Sequence, residues 1–186
     1  MMPWKDPMAP ATGKGHGRSR MIIFDFDLTL VNTRPVEAFR AARNWKAVMD
    51  RAAELEVYEG ISDLLRELHA REQVLAIVTK SPDMVPRAFI RQHKWPIDIV
   101  VGYHQVKRRK PDPEGLLLAM KKAGEVAENT FHVGDQPEDT EASRAANVIA
   151  IGAGWGLPDT SRLEASGPDH LFMTVPELQE FLLKTV

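Results

Sequence analysis

From Arg20 onward, short apolar runs alternate with longer stretches whose apolar positions recur at helical spacing. The runs at residues 21–26, 74–78, 97–101, 130–133 and 148–151 read as strands, with a short sixth at 170–173. Continuous apolarity, without alternation, marks strands covered on both faces. Between them, residues 61–69, 82–93, 113–123, 137–146 and 176–184 carry helical periodicity. Strand and helix in regular alternation predict βαβ units. The fold class is therefore α/β, with a parallel sheet and helices on both faces. Right-handed crossovers leave few ways to wind it.

Residues 31–57 belong to none of these units. Ala38, Phe39, Ala41, Ala42, Trp45, Val48, Met49, Ala52 and Leu55 recur at helical spacing with Arg and Glu between them. The pattern predicts a helical hairpin inserted after the first strand. Residues 1–20 hold three prolines and three glycines with almost no apolar periodicity. They lack the apolar centre of a signal peptide, so a flexible tail is expected there.

Composition narrows the function classes. A length of 186 residues supports one core domain, so 21–186 reads as a single unit. Lys plus Arg is 24 against 26 for Asp plus Glu, and the net charge of −2 argues against nucleic acid as a partner. No cysteine is present. That excludes disulfides, thiolate catalysis and zinc–thiolate sites, and fits a reducing compartment such as the cytoplasm. No apolar run approaches the length of a membrane span, so no membrane partner is expected.

The candidate chemistry sits where the apolar runs end. The first run leads into Asp25-Phe26-Asp27-Leu28-Thr29. If the strand continues, period-two alternation points both carboxylates to one side of the backbone. Crowded acids repel unless a cation or a shared proton relieves them. The second run ends at Thr79, before Lys80-Ser81-Pro82; its hydroxyl suits a helix N-cap or a ligand contact. Lys107-Arg108-Arg109-Lys110 would ordinarily be a solvated face, and only the frame Lys110-Pro111-Asp112-Pro113 singles out its fourth residue. The fourth run leads into Gly134-Asp135-Gln136-Pro137-Glu138-Asp139, a second acid pair. Asp139 also suits a helix first turn, where the macrodipole favours an acid. In an open parallel sheet such strand ends converge on one crevice. Acids, a hydroxyl and a lysine would meet there around something anionic and metal-bound.

Other residues read as structural. His104 and His132 have no Cys or His at ligand spacing. The glycine-rich stretch 152–156 follows a strand, but no helix pattern follows it, so it is not a dinucleotide fingerprint. Trp45 reads as hairpin packing and Trp155 as an anchor of a loop on the core.

The ordered set DxDxT, strand-end Thr, Lys-Pro and GDxxxD resembles the haloacid dehalogenase superfamily, specifically its phosphatase branch, over about residues 20–155. Ile77-Val78-Thr79, Arg109-Lys110-Pro111-Asp112-Pro113 and His132-Val133-Gly134-Asp135 look most like phosphoglycolate-phosphatase relatives. Dehalogenase members lack the second acid, so Asp27 with Thr29 implies phosphoryl chemistry. The resemblance implies a Rossmann-like three-layer α/β/α core with sheet order 5-4-1-2-3. It implies a Mg²⁺-dependent phosphatase that acts on a small phosphorylated metabolite through an aspartyl-phosphate, as a monomer or homodimer.

Carried over residue by residue, the resemblance makes Asp25 the nucleophile and Asp27 the general acid and then base. Thr29 would orient Asp27, while Thr79 and Lys110 would bind the phosphate. Asp25, the Asp27 carbonyl and Asp135 would hold Mg²⁺, with Asp139 in support. The insertion at 31–57 falls where the family places its cap. Thr79 follows Thr29 by only 50 positions, so this cap is abbreviated. It is expected to leave the crevice accessible, or else to be completed by a second subunit over Phe39, Trp45 and Met49. Lys80 stands where relatives commonly place Asn. Two alternatives stay open: a phosphotransferase of the mutase kind, and a non-catalytic phosphate-binding protein.

Overall fold

The strand β1 (Met21–Phe24) has no exposed residue and sits at the middle of the sheet. The structure, a computed structural model, describes residues 20–186. Its other strands are β2 (Val74–Val78), β3 (Ile99–Val101), β4 (Thr130–Gly134), β5 (Ile149–Ala153) and β6 (His170–Phe172). All pair in parallel, in the order β3-β2-β1-β4-β5-β6. The expected order 5-4-1-2-3 is thus present, and β6 extends it by one edge strand. The flexible-tail reading falls on residues outside those described, apart from Arg20.

In chain order the helices are α1 (Glu37–Ala41), α2 (Trp45–Asp50), α3 (Ile61–Ala70), α4 (Met84–His93), α5 (Glu114–Ala123), α6 (Pro137–Ala145), α7 (Ser161–Ala165) and α8 (Val175–Thr185). The pleat of the sheet divides the core between them. Ile22, Phe24, Leu75 and Ile77 face one side, where α3, α4 and α8 supply Leu64, Leu68, Phe89 and Leu178. Met21, Ile23, Ala76 and Val78 face the other, against Leu116, Ala119 and Met120 of α5 and Ala142 of α6. The result is the expected three-layer α/β/α architecture. The short helix α7 was missed because five residues carry too little periodicity to read.

The boundaries that differ from expectation are informative. β1 stops at Phe24, two residues early. Asp25 N–H still donates to Val133 O at 2.8 Å, but Phe26 N–H turns back to Asp25 Oδ1 at 2.8 Å. A side chain that captures a backbone donor competes with the ladder. Asp27 then forms a single bridge to Val31, and Leu28 takes a left-handed φ of 58°. Strand alternation therefore does not carry from Asp25 to Asp27. β3 likewise begins at Ile99 and not at 97, although Trp95 and Ile97 remain buried.

The insertion is less regular than a helical hairpin. The short helices α1 and α2 are bracketed by 3-10 turns at Arg34–Val36 and Ala52–Glu54. Asn44 caps α2 by accepting from Ala47 N–H at 3.1 Å. An antiparallel bridge between Val31 and Val57 closes the base, with Asn32 N–H donating to Glu56 O at 2.8 Å. Val36, Val48, Ala52 and Leu55 are buried in the core of the α3 and α4 face, and Phe39, Trp45 and Met49 pack half-buried against it. The insertion's apolar side is thus turned onto its own chain.

Phe26 is the residue that ties the end of β1 to α4. It is fully buried between the two acids and meets the Phe89 ring edge-on at 5.2 Å. Phe26→Ala is expected to destabilise the protein by about 3–5 kcal/mol, the range for a buried phenylalanine truncated to leave a cavity. Urea denaturation at matched m-values measures this; a loss below about 1 kcal/mol would show that the site's floor is not packed as described.

Candidate active site

Asp25, Asp135 and Asp139 come from the ends of β1 and β4 and the first turn of α6, and all are buried. One oxygen from each lies within 4.8 Å of the others. Lys110 enters the cluster from the loop before α5, with only 3% of its side chain exposed. Its Nζ lies 3.1 Å from Asp25 Oδ1 and 2.6 Å from Asp139 Oδ1, and donates to Val78 O at 3.1 Å. The other members of the basic run do stay at the surface or stack on Tyr103, as Arg109 does.

Gly134 makes the approach of Asp139 feasible. A Cβ built on it would stand 2.3 Å from Asp139 Cγ, so no side chain fits there. Asp139 Oδ2 also accepts from Gln136 N–H at 3.0 Å, as the first-turn reading anticipates. Gln136 Nε2 donates to Asp135 Oδ2.

Asp27 is held by a second set of contacts. Its Oδ2 accepts from Ser81 Oγ at 2.8 Å and Thr79 Oγ at 3.4 Å, and pairs with Arg40 of α1 at 2.8 Å. Its Oδ1 is buried with no partner. Thr79 therefore faces the site, and it also fastens the turn, since its hydroxyl accepts from Ser81 N–H at 3.1 Å. Thr29 differs from expectation: its hydroxyl lies 3.5 Å from Asp135 Oδ1 and does not touch Asp27. The left-handed turn at Leu28 swings Thr29 away from Asp27 and towards the end of β4. Trp155 anchors this turn, as expected, by donating from Nε1 to Thr29 O at 3.0 Å.

Sequence reasoning missed Arg40 and Ser81. Ser81 was hidden in a turn rich in polar residues. Arg40 lay within a stretch read only for its apolar spacing, and nothing in that spacing reveals a contact with the first motif. His132 is structural: Ser143 Oγ donates to Asp139 O at 2.7 Å, which leaves it to accept from His132 Nδ1–H at 2.8 Å. Burial holds the His132 imidazole down at about 4, so it is neutral near Asp139 at pH 7.

A cavity of about 280 Å³ opens above the acids, lined by Asp25, Asp27, Asp135, Gln136, Lys80 and Arg40. The sequence-predicted acids thus share one crevice, with Thr79 and Lys110 bound to their carboxylates from behind. Known proteins decide what this frame is. The family model described as haloacid dehalogenase-like hydrolase matches residues 36–153.

The chain belongs to that family.

The match begins after Asp25 and Asp27, so the family assignment does not depend on the first motif. Among relatives, pyrophosphatase PpaX of Listeria welshimeri is 29% identical over 123 residues, 65% of this chain and 57% of that protein. Phosphoglycolate phosphatase of Pseudomonas putida is 30% identical over 118 residues, 60% of this chain and 42% of that protein. This chain therefore spans only about half the length of these relatives. A hydrolase structure from Pseudomonas syringae superposes with a TM-score of 0.76 at 20% identity, covering 89% of this chain and 99% of that one, which speaks to the shared fold.

The acid cluster fits a hard divalent cation. Its donors are all oxygens, the set that Mg²⁺ prefers. Burial, with Asp25 and Asp139 nearby, pushes Asp135 up to about 8. Burial also pushes Asp25 up to about 7, although Lys110 opposes it. Asp139 is the exception: burial raises it, but Lys110, His132 and the Gln136 N–H together outweigh burial and hold it below the usual range. One ammonium thus serves both Asp139 and Asp25, and Asp135 has no ion pair of its own.

A pH dependence follows. Acids whose folded pKa is raised stabilise the fold when protonated, and that stability is lost as pH rises from about 4 towards 8. His132, depressed to about 4, acts in the opposite sense below its ordinary value of 6.5. Between pH 6.5 and 8 the two acids act alone. In EDTA, stability is expected to fall by on the order of 1 kcal/mol per pH unit across that window. Asp135→Asn should flatten the fall, and Mg²⁺ should restore the wild type. Thermal melts from pH 6.5 to 8.5 with and without Mg²⁺ test this; a flat wild-type profile in EDTA would refute it.

Proposed function

We propose that the protein is a phosphatase that hydrolyses small phosphate monoesters through an aspartyl-phosphate on Asp25, with Mg²⁺ as cofactor. One observation carries the reading: Asp25 and Asp27 line the same cavity with complementary free oxygens. The contacts to Asp25 from Lys110 and Phe26 N–H both fall on Oδ1, leaving Oδ2 for bond formation. The contacts to Asp27 all fall on Oδ2, leaving Oδ1 to carry a proton.

Phosphoryl transfer is governed mainly by positioning and by charge neutralisation. In the first step Asp25 Oδ2 attacks phosphorus, and the bond to the leaving oxygen breaks as that oxygen takes the Asp27 proton. In the second, water loses a proton to Asp27 as it attacks the phosphoaspartate. The P–O bond to Asp25 then breaks, releasing phosphate and returning both acids to their starting forms. Lys110 pairs with Asp25 and favours its ionised form, while Thr79 holds Asp27 in place. Asp25, the Asp27 carbonyl and Asp135 would hold Mg²⁺, which supplies positive charge to the phosphate oxygens. Asp139 orients Lys110, and Thr29 supports Asp135.

The insertion at 31–57 serves as an abbreviated cap. Transfer to a bound sugar in place of water needs water excluded, and so small a cap, with an open cavity beside it, favours water as acceptor. We place the enzyme in the cytoplasm as a monomer or homodimer, acting on a small phosphorylated metabolite. Among the described residues no helix is long and apolar enough to cross a membrane.

Asp25→Asn is expected to reduce turnover of p-nitrophenyl phosphate at least a hundredfold, beyond the low end of a general acid–base contribution, while preserving the fold. Retention of more than a hundredth of the rate would remove Asp25 from its role. Asp27→Asn should slow alkyl phosphates far more than p-nitrophenyl phosphate, whose leaving oxygen scarcely needs a proton. Steady-state rates on both substrates decide; equal losses contradict a general-acid role.

A further inference from the structure

The catalytic crevice opens sideways into a larger cavity of about 440 Å³, and the two share Glu37, Arg40 and Lys80. Its walls include Arg40, Arg43, Lys80 and His104, with Trp45 and Tyr103 as aromatic surface. The single acid there, Glu37, is already paired with Arg40 at 2.6 Å. Arg40 in turn bridges to Asp27, so the cation that joins the cavities is satisfied. Arg43 is not: its guanidinium lies 5.8 Å over the Tyr103 ring and has that ring, not a carboxylate, as its partner. Lys80 meets Glu138 only at 3.8 Å, with both side chains well exposed.

Two features mark this as a built surface. Arg43 occupies the left-handed corner between α1 and α2, with a φ of 54°. Such a helix-ending position favours Gly or Asn, and a long side chain there carries a conformational cost. The cost places a cation at the cavity wall. Tyr103 is fixed from beneath by Arg109, whose guanidinium lies 3.6 Å from the ring centroid. The wall on that side is therefore rigid and positive as well.

Because the two cavities share Glu37, Arg40 and Lys80, a phosphate seated over Asp25 would have this cavity beside it to receive its leaving group. We propose that the cavity is a leaving-group subsite in which Arg43 and Lys80 select substrates that carry a second anionic group, carboxylate or phosphate. The proposal rests on the phosphatase reading and names its substrate class. It also gives Lys80, which lines both cavities and has only a long contact to Glu138, a role where the two cavities meet.

The test holds shape fixed and changes charge. Rates are measured on 4-carboxyphenyl phosphate, 1,4-phenylene bisphosphate and the neutral 4-carbamoylphenyl phosphate. A charge-assisted contact predicts a kcat/KM preference of about tenfold or more for at least one anionic substrate over the neutral one. Which one is preferred identifies the group. Arg43→Gln, and separately Lys80→Gln, should lower that ratio towards one. Turnover of all three within about threefold overturns the subsite while leaving the phosphatase reading intact. Binding of the non-hydrolysable 4-carboxybenzyl- and 4-carbamoylbenzylphosphonates with Mg²⁺, followed by calorimetry, supplies a readout independent of turnover. A carboxylate preference there that Arg43→Gln abolishes supports the subsite even if turnover fails, in which case the phosphatase reading is what falls. Equal affinities, with no rate preference for the bisphosphate, overturn the subsite.

Discussion

Asp25, Asp135 and Asp139 share a buried strand-end crevice whose charge must be relieved by a proton or a cation, and among the described residues Lys110 is the one ammonium that reaches them. Burial alone would push Lys110 down, but Asp139 and Asp25 outweigh it and hold the ammonium charged. A buried ion pair is weak evidence for net stability, yet removing one partner typically costs about 3–5 kcal/mol because the other is left uncompensated. The arrangement is therefore locked in both directions. The acids need the lysine, and the lysine is tolerable only among the acids. One ammonium for three carboxylates still leaves the cluster short of positive charge, a state suited to a divalent cation.

The sheet explains why these groups meet. Asp25 and Asp135 follow β1 and β4, which are neighbours in register from Met21 beside Thr130 to Phe24 beside Val133. Thr79 follows β2, the neighbour of β1 on the other side. β1 and β4 are buried through their length and β2 nearly so, and the acid or hydroxyl that follows each strand falls at the same edge. Gly134 and the Phe26 anchor then set how closely the acids approach. The reactive geometry is a product of core packing more than of the loops that carry it.

This also accounts for what could be read in advance. Unbroken apolar runs revealed the strands, and their endings revealed Asp25, Thr79 and Asp135, because strand ends are local in sequence. Lys110 emerged only from its proline frame and its resemblance to a family pattern. Thr29 was set beside Asp27 by the family resemblance alone, and the left-handed turn at Leu28, which no periodicity encodes, brings it to Asp135 instead. Arg40 was illegible for a related reason. Its contact with Asp27 depends on how the short helix α1 lies against the crevice, and no periodicity encodes that placement.

Arg40 also changes how the small insertion is to be understood. A chain segment this short cannot enclose a substrate, but it need not do so to affect the chemistry. Its apolar residues are committed to the core on the α3 and α4 face, and the Val31–Val57 bridge clamps its base. It is therefore attached firmly enough to present a guanidinium to the acid–base residue and a second one, Arg43, to the space where a leaving group would lie. The charges are consequently zoned: acids with one buried lysine at the strand ends, and cations along the insertion and the turn after β2. An anion entering from the open side meets the cations first and the acid cluster last. A cluster of unneutralised carboxylates repels phosphate unless metal is bound. On the proposed phosphatase reading, selection of a substrate by the outer cations and its commitment at the acid cluster would be separated in space.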